Sequence, residues 1–540
     1  MPWVLLLCLF ALLHALHLRA DFPNHTQWFM DWAKYTDEGW YGNAAVRAHL
    51  FGNWYMSGDF NPGPAVPVWP FLEWLLFFFT GVTVHAARAL AVFFFFVNLL
   101  LSYLLLRARG SRWMALLALT LLVTSPFLYC FSRLAILEPL LTALTLAALN
   151  LAVRLPRLRF PVLSSVAIGL LFTMMMLTKT TAIFLLPALG WAMVAGFWPQ
   201  LKLSLRCALT AAATFAVSFG AWIGMLASTG LLRDYKYFFF INKYDKPPEF
   251  YWPLLSFWWS FHGGLWIDRI LIPLAGIVTL AALVAAAVTA GRSRRGRELL
   301  LNPLFGASVL AVTGYIFFMT YQNHPQPRYF AVVAFFSFFI VAMGAEALLG
   351  RTTPEGEASP ANEANATASA SHKFSPRMLG WAFLAMVAVA VAINAGQTLT
   401  YVRHPEYTFV DAAKRLTRFI DEHPNGKRLL VSISGDQITM VTHLPTLCDD
   451  FGTEELVKKL DHYQPGWYAA WNDLDPGTLE DLHHRYWLEQ VASFRAFDDP
   501  ERNVLVLFKL HPLSGGRERD ASEQNLKIKL PGDKIRIPIE

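Results

Sequence analysis

Long apolar runs dominate the hydrophobic pattern of the chain, and their length decides its class. A helix needs about 20 mostly apolar residues to cross the roughly 30 Å hydrocarbon core of a bilayer. Runs of this kind recur through most of the chain, so the fold class is a mainly α, polytopic membrane protein. We predict about eleven transmembrane helices, at 2–16, 86–106, 113–130, 135–153, 161–178, 181–198, 207–229, 268–290, 303–321, 327–349 and 379–397.

Basic residues gather in alternate loops between the predicted spans. Cytoplasmic loops carry an excess of Lys and Arg, so this alternation places the N-terminus in the cytoplasm. With an odd number of spans, the C-terminal part is then extracytoplasmic, and we expect a multi-pass protein of the inner (cytoplasmic) membrane. The basic loops contain Arg107, Arg109, Arg112, Arg154, Arg157, Arg159, Lys202, Arg206, Arg292, Arg294, Arg295, Arg297, Arg351, Lys373 and Arg377.

Three segments within the predicted membrane region, 1–397, do not read as spans. Residues 21–84 form a first external loop, whose aromatic end could lie at the membrane interface. Residues 230–268 form a second long external loop that is rich in Tyr, Phe and Trp. Residues 352–377 are rich in Ala, Ser, Glu and Pro, which is typical of a disordered cytoplasmic linker. The Asn365-Ala366-Thr367 sequon lies in this linker, on the side where it would not be glycosylated.

The pattern changes at the C-terminal end, where residues 398–540 predict a small extracytoplasmic α/β domain. Apolar residues recur at helical spacing over 409–423, a Pro-Asn-Gly turn follows, and 429–433 reads as a buried strand. We predict further helices at 453–462 and 478–486 and a strand at 504–509. The domain has no Gly-rich phosphate loop, nucleophile elbow or metal-ligand spacing, so we assign it no chemistry of its own.

Composition and charge agree with a membrane protein and argue against two other classes. The 540 residues are 55% hydrophobic and only 16% charged, whereas a soluble domain carries about 25% charged residues. The net charge of +6 comes mainly from short loops between spans, so it indicates topology and does not predict nucleic-acid binding. The cysteines show no CxxC spacing, which gives no support for a metal or redox motif; they are Cys8, Cys130, Cys207 and Cys448.

Two adjacent acids, Asp37 and Glu38, are the most informative polar residues of the first external loop. One interpretation is structural: Thr36 or Asp37 caps a helix that continues through 44–50, and the acids interact with its dipole. The other is functional: one acid points into a cavity while the other orients the loop. Neighbouring helical positions do not face each other, so the two are not expected to share a proton.

Three further motifs follow the acidic pair and its helix on the predicted outer side: Ser132-Arg133-Leu134-Ala135-Ile136-Leu137-Glu138-Pro139, Leu177-Thr178-Lys179-Thr180 and Pro327-Arg328-Tyr329. Together, the four motifs resemble those of the GT-C glycosyltransferases. The nearest branch is that of the protein O-mannosyltransferases and aminoarabinose transferases, which is glycosyltransferase family 39-like. One departure is that the Glu-Lys-Pro-Pro element of the aminoarabinose branch is missing, since residues 58–64 read Gly-Asp-Phe-Asn-Pro-Gly-Pro. The donor and acceptor of that branch are therefore not expected for this chain.

This resemblance implies an inverting transfer of a hexosyl or pentosyl group from a polyprenyl-phosphate donor. The acceptor would be a lipid, a polysaccharide or a protein at the outer face of the membrane. Asp37 matches the position of the base, with Glu38 beside it, and basic side chains would bind the donor phosphate. The resemblance requires no cofactor but leaves room for a divalent cation between an acid and the phosphate. The implied phosphate-binding residues are Lys179, Arg328 and Arg133, the second acid or metal ligand is Glu138, and further candidates are His324 and Tyr329.

Each of these residues has a structural alternative that the sequence leaves open. Arg328 could anchor a span at the lipid headgroups, and Lys179 could extend along a helix end to reach water. Glu138 precedes Pro139 at a helix start, where capping alone would explain an acid.

Two other functions compete with glycosyl transfer. A transporter or flippase for lipid-linked sugars would favour ionisable residues near the bilayer midplane and broken spans in two related halves. Here the notable acids cluster at one membrane face, and the sequence shows no internal repeat. The second alternative is a non-catalytic envelope-assembly protein, for which the acids would be dispensable.

Overall fold

The structure is a computed structural model, and several of the sequence predictions fall outside the residues that it describes. His324 and the Asn365 sequon lie outside them, as do almost all of the predicted linker and most of the second external loop. The described residues are 2–23, 31–241, 268–288, 299–322, 326–349, 376–472, 474–497 and 502–513.

Helices make up the described chain as far as residue 403, as the long apolar runs predict. Short 3-10 turns at Trp32–Lys34, Thr180–Leu185 and Pro327–Tyr329 precede or join them. The helices are α1 (Pro2–Leu13), α2 (Asp37–Phe51), α3 (Val68–Thr80), α4 (Val84–Arg107), α5 (Arg112–Thr124), α6 (Pro126–Phe131), α7 (Leu137–Arg154), α8 (Pro161–Thr178), α9 (Leu186–Phe197), α10 (Leu201–Thr229), α11 (Leu232–Lys236), α12 (Leu271–Val288), α13 (Pro303–Gln322), α14 (Phe330–Leu349) and α15 (Pro376–Arg403).

The described part of the chain contains eight helical stretches that are long and apolar enough to cross a membrane. The chain is therefore a multi-pass membrane protein. Four further apolar helices, α1, α3, α5 and α12, are not among these eight, and α1, α3 and α5 have only 12 or 13 residues. Three of them occupy the spans predicted at 2–16, 113–130 and 268–290, so the predicted number of eleven is not confirmed.

One predicted span, 113–130, is broken in the structure. Helix α5 ends at Thr124 and α6 begins at Pro126, because proline has no N–H to continue the helical ladder and its ring crowds the preceding turn. The hydroxyl of Ser125 accepts a hydrogen bond from the backbone N–H of Leu128 at 3.2 Å and caps α6. This break directs the chain into the short segment 132–136, which precedes α7.

The C-terminal part, after α15, contains one five-stranded sheet with helices on its faces. The strand order is β2-β1-β3-β5-β4, with β1 parallel to β2 and β3, and β5 antiparallel to β3 and β4. The elements are α16 (Thr408–Glu422), β1 (Lys427–Val431), α17 (Gly435–Thr442), β2 (Thr446–Leu447), α18 (Leu456–Tyr463), β3 (Pro465–Trp471), α19 (Pro476–His483), β4 (Tyr486–Arg495) and β5 (Val504–Pro512).

The predicted C-terminal elements are present, but α17, β2, β3 and β4 are not among the predictions. Side chains of α16 and α17 pack on one face of the sheet in a core that also receives Tyr35 from the first external loop. This shared core joins the C-terminal sheet to the segment that carries the acidic pair.

Candidate active site

The acidic pair lies at the very start of α2, where the two carboxylates have different surroundings. Asp37 is the first residue of the helix, and Thr36 precedes it without a capping hydrogen bond from its side chain. Instead, the Thr36 hydroxyl donates to Oδ1 of Asp37 at 3.1 Å. Neither residue therefore caps the helix through its side chain, although both acids lie in the first turn, where they interact with the helix dipole.

Arg328 lies between two carboxylates at the start of α14. Its Nη1 donates to Oδ1 of Asp31 at 2.7 Å, and its backbone N–H donates to Oδ2 of the same residue at 2.7 Å. Its Nε lies 3.0 Å from Oδ2 of Asp37, without the alignment of a hydrogen bond. All three side chains are buried, so Arg328 does not have the water-exposed position of a headgroup anchor.

A second cation, Lys179, ends α8 on the same side of the site. Its ammonium group is paired with Glu138 of α7, and both side chains are buried. The ring of Tyr329 lies 4.4 Å from Lys179 Nζ and 4.8 Å from the guanidinium carbon of Arg328. One aromatic ring thus contacts both cations and contributes to their placement.

Asp37, Lys179, Arg328 and Tyr329 line one cavity of about 200 Å³. Its charged groups are Asp37, Lys179 and Arg328, and most of the remaining wall is aromatic or aliphatic. The wall comes from α2, the ends of membrane helices, the segment after α11 and the C-terminal sheet region; the other lining residues are Trp32, Trp40, Tyr41, Phe60, Val66, Leu137, Thr180, Thr181, Phe238, Phe239, Phe318, Tyr329, Ile433 and Phe451.

Burial determines the electrostatics of the candidate base. Removal from water raises the pKa of Asp37 above its ordinary value, while the positive charge of Arg328 acts in the opposite direction. Smaller contributions come from Asp31 and Glu138, which raise this pKa, and from Lys179, which lowers it. A carboxylate with a raised pKa is a stronger proton acceptor than an exposed one.

Glu38 does not line the cavity, because other groups saturate its carboxylate. Arg88 of α4 donates from Nε to Oε1 at 2.7 Å and from Nη2 to Oε2 at 2.6 Å. The backbone N–H of Ala135 and the side-chain amide of Gln437 donate to the same carboxylate at 2.9 and 3.1 Å. Glu38 thus ties the start of α2 to three other segments, which suits the orienting role considered for one acid of the pair.

The other residues predicted for the site, Arg133 and Glu138, have different surroundings. Arg133 points away from the cavity: its Nη2 donates to the backbone carbonyls of Leu16 and His17 at 2.5 and 2.7 Å. Oε2 of Glu138 is buried without a hydrogen-bond partner among the described residues. Within those residues, no group of three or more His, Cys, Asp or Glu side chains is placed to hold a metal ion.

Sequence reasoning missed Asp31, which contributes directly to the site. It is a single acid in an aromatic loop, with no motif around it, and its only local signal is the cap that it provides by accepting from Ala33 N–H at 2.8 Å. Its pairing with Arg328 spans 297 positions of the sequence and is created by the fold alone.

The fold and the site together define a class of protein: a multi-pass membrane protein with a buried carboxylate and two cationic side chains in one cavity. No protein-family model matches the sequence, and no curated protein matches it as a relative. Among solved structures, ArnT from Cupriavidus metallidurans bound to undecaprenyl phosphate is similar, with a TM-score of 0.59 and 16% identity over 94% of this chain and 98% of that chain. The apo state of that protein gives 0.58, with 15% identity and the same coverage.

The archaeal oligosaccharyltransferase AglB from Archaeoglobus fulgidus, in complex with an inhibitory peptide and a dolichol-phosphate, gives a TM-score of 0.49 with 12% identity. That match covers 90% of this chain and 73% of the other. The likeness to ArnT, at low identity but over nearly the full length of both chains, concerns the fold. The chain therefore has the fold of ArnT, and the fold class expected from the sequence is confirmed.

Proposed function

We propose that the protein transfers a sugar from a polyprenyl-phosphate-linked donor to an acceptor at the outer face of the membrane. The observation that carries this proposal is the placement of Asp37, Arg328 and Lys179 in one cavity where membrane helices end. The similar fold of ArnT, which was solved with undecaprenyl phosphate bound, supports a lipid-phosphate donor.

In this proposal Arg328 and Lys179 bind the phosphate of the donor. A guanidinium can contact two phosphate oxygens at once, and an ammonium adds a point charge. Asp31 and Glu138 hold these two cations in place. The aromatic wall of the cavity then surrounds the sugar and the first part of the lipid.

Asp37 acts as the base in a single inverting displacement. It takes the proton from an acceptor hydroxyl while that oxygen attacks the anomeric carbon, and the bond from this carbon to the phosphate oxygen breaks. The leaving phosphate gains a negative charge in the same step in which Asp37 loses one. The charge of the cavity is therefore nearly constant through the reaction, which favours transfer in a buried site.

The test is sugar transfer by purified Asp37→Asn protein in nanodiscs, with labelled polyprenyl-phosphate sugars and envelope extract as the acceptor source. Asparagine keeps the shape but removes the base, so turnover should fall by about two to four orders of magnitude. Asp421→Asn is the matched control, because Asp421 is an exposed acid paired with Arg428 far from the cavity.

Equal transfer by wild type and Asp37→Asn with a hydroxyl acceptor would remove Asp37 as the base. Movement of the labelled lipid across a liposome membrane without transfer would instead support the flippase alternative.

A further inference from the structure

The residues on both sides of Asp37 are held by the C-terminal sheet region. Tyr35, two positions before Asp37, is fully buried in the core formed by α16, α17 and the sheet. Its ring centroid lies 5.1 Å from those of Trp471 and Phe497, edge to face with both. Such aromatic pairs favour one fixed orientation, so the chain enters α2 from a rigid anchor.

On the other side of Asp37, the backbone of α2 touches the backbone of α17. A Cβ atom added to Gly39 would lie 2.2 Å from the backbone nitrogen of Gln437 and 2.5 Å from the carbonyl carbon of Asp436. Only glycine allows the two helices to approach this closely. The first turn of α2, which carries Asp37, therefore rests directly on α17.

One side chain of α17 bridges the sequence around Asp37. The amide Nε2 of Gln437 donates to the backbone carbonyl of Lys34 at 2.9 Å and to Oε2 of Glu38 at 3.1 Å. The side chain of Gln437 thus holds Lys34, three positions before Asp37, and Glu38, just after it.

Further along α2, a buried set of charges makes the same connection. Arg47 donates to Asp436 at 3.0 Å and to Asp59 at 2.8 Å, and Asp59 also pairs with Lys459 at 3.3 Å. Asn43 adds a hydrogen bond to Asp436 at 3.0 Å. The charges of two carboxylates and two cationic side chains balance in this set. Removing one partner would therefore leave a buried charge uncompensated.

We propose that the C-terminal sheet region positions Asp37 for proton transfer, with Gln437 and Asp436 of α17 as positioning residues. This inference rests on the proposed function. It gives the C-terminal sheet region a role in catalysis through the position of Asp37, without assigning a reacting group to the region. A base works only within hydrogen-bond reach of its proton, and misplacement by about 1 Å costs about 100-fold in rate. Arg328 and Lys179, in contrast, lie at the ends of membrane helices, where Asp31 and Glu138 pair with them.

This difference in placement predicts which kinetic constant changes. In Gln437→Ala the first turn of α2 loosens, so kcat should fall about 10- to 100-fold. The KM for the lipid-linked donor should change less than about twofold, because the phosphate cations keep their supports. Asp436→Asn should act in the same direction. The control Asp421→Asn, in the same region but exposed, should change neither constant.

Hydrogen exchange gives a readout that does not depend on activity. In the full-length protein in nanodiscs, amides of α2 should exchange faster in Gln437→Ala and Asp436→Asn than in wild type or Asp421→Asn. Unchanged exchange of α2 in both variants would overturn the positioning role, and so would equal loss of kcat and donor affinity. If wild type itself transfers no sugar, the proposed function fails, and the exchange result then decides separately whether α17 holds α2.

Discussion

At the scale of single residues, the position of Arg328 between two carboxylates determines what its replacement does. Arg328→Ala removes the group that would bind the donor phosphate, so the KM for the donor should rise. Arg328→Lys should recover only part of the binding, because the planar fork is lost. The measurement is the affinity of the purified variants for polyprenyl phosphate.

The matched control for Arg328 is Arg428→Ala, which removes an exposed guanidinium that pairs with Asp421. It should bind polyprenyl phosphate as wild type does. Wild-type affinity in Arg328→Ala as well would mean that Arg328 only holds Asp31 and Asp37 in place.

The pH dependence of the reaction follows from the burial of Asp37. Its pKa is raised, and the base works only when ionised, so kcat/KM should fall as the pH decreases through this raised value. The acidic limb should therefore lie above about pH 3.9, where an exposed aspartate titrates. The charged groups around Asp37 are Arg328, Lys179, Asp31 and Glu138.

A pH–rate profile of wild type and Asp37→Asn checks this expectation. The residual activity of the variant should lack the limb that belongs to Asp37. A wild-type limb at the pH of an ordinary aspartate would show that burial does not control the base.

At the scale of elements, the link between α2 and α4 is expected to support the fold more than the chemistry. Glu38→Gln leaves the buried guanidinium of Arg88 without its charge partner, and breaking such a pair costs about 3–5 kcal/mol. The free energy of unfolding should therefore fall more than in Asp37→Asn, where Arg328 keeps Asp31. Thermal unfolding in detergent measures the difference.

The double variant Glu38→Gln/Arg88→Met provides the control for this link. It removes the buried charge together with its partner and should recover part of the stability. A Glu38→Gln protein as stable as wild type would show that Arg88 finds another partner.

The sequence predicts elements well where one physical signal dominates. Run length alone located the long membrane helices, and helical spacing located α16. The break before Pro126 was missed because the apolar residues on both sides outweigh the short polar step at Thr124 and Ser125. Strand β3 is buried along its full length, and a short apolar run of this kind has no alternation to distinguish it from a helix.

At the scale of the whole molecule, only some residues of the candidate site could be predicted from the sequence. Asp37, Lys179 and Arg328 were found through motifs, and the structure brings them to one cavity. Glu138, the partner of Lys179, was found through the same motifs, but Asp31 was not, because its pairing with Arg328 joins distant parts of the sequence and carries no local pattern. The charge balance of a buried site is a property of the fold, and single segments do not reveal it.

The contact between α2 and α17 also fixes part of the topology. The first external loop and the C-terminal sheet region must lie on the same side of the membrane, because the buried pair of Arg47 and Asp436 joins them. The basic loops predict that the opposite side is cytoplasmic. A reporter fused after Leu513, which follows the last strand, should therefore be active only when exported.

Thiol labelling in intact cells tests both sides of the membrane independently. Asn53→Cys, in an exposed part of the first loop, should react with a membrane-impermeant reagent, whereas Arg157→Cys should react only after permeabilisation. The parent protein is the control, because Cys8 is exposed while the other three cysteines are buried. The opposite result would be labelling of Arg157→Cys but not Asn53→Cys in intact cells, together with a reporter that is active in the cytoplasm. It would place Asp37 on the cytoplasmic face, and the sugar donor would then have to be presented on that face.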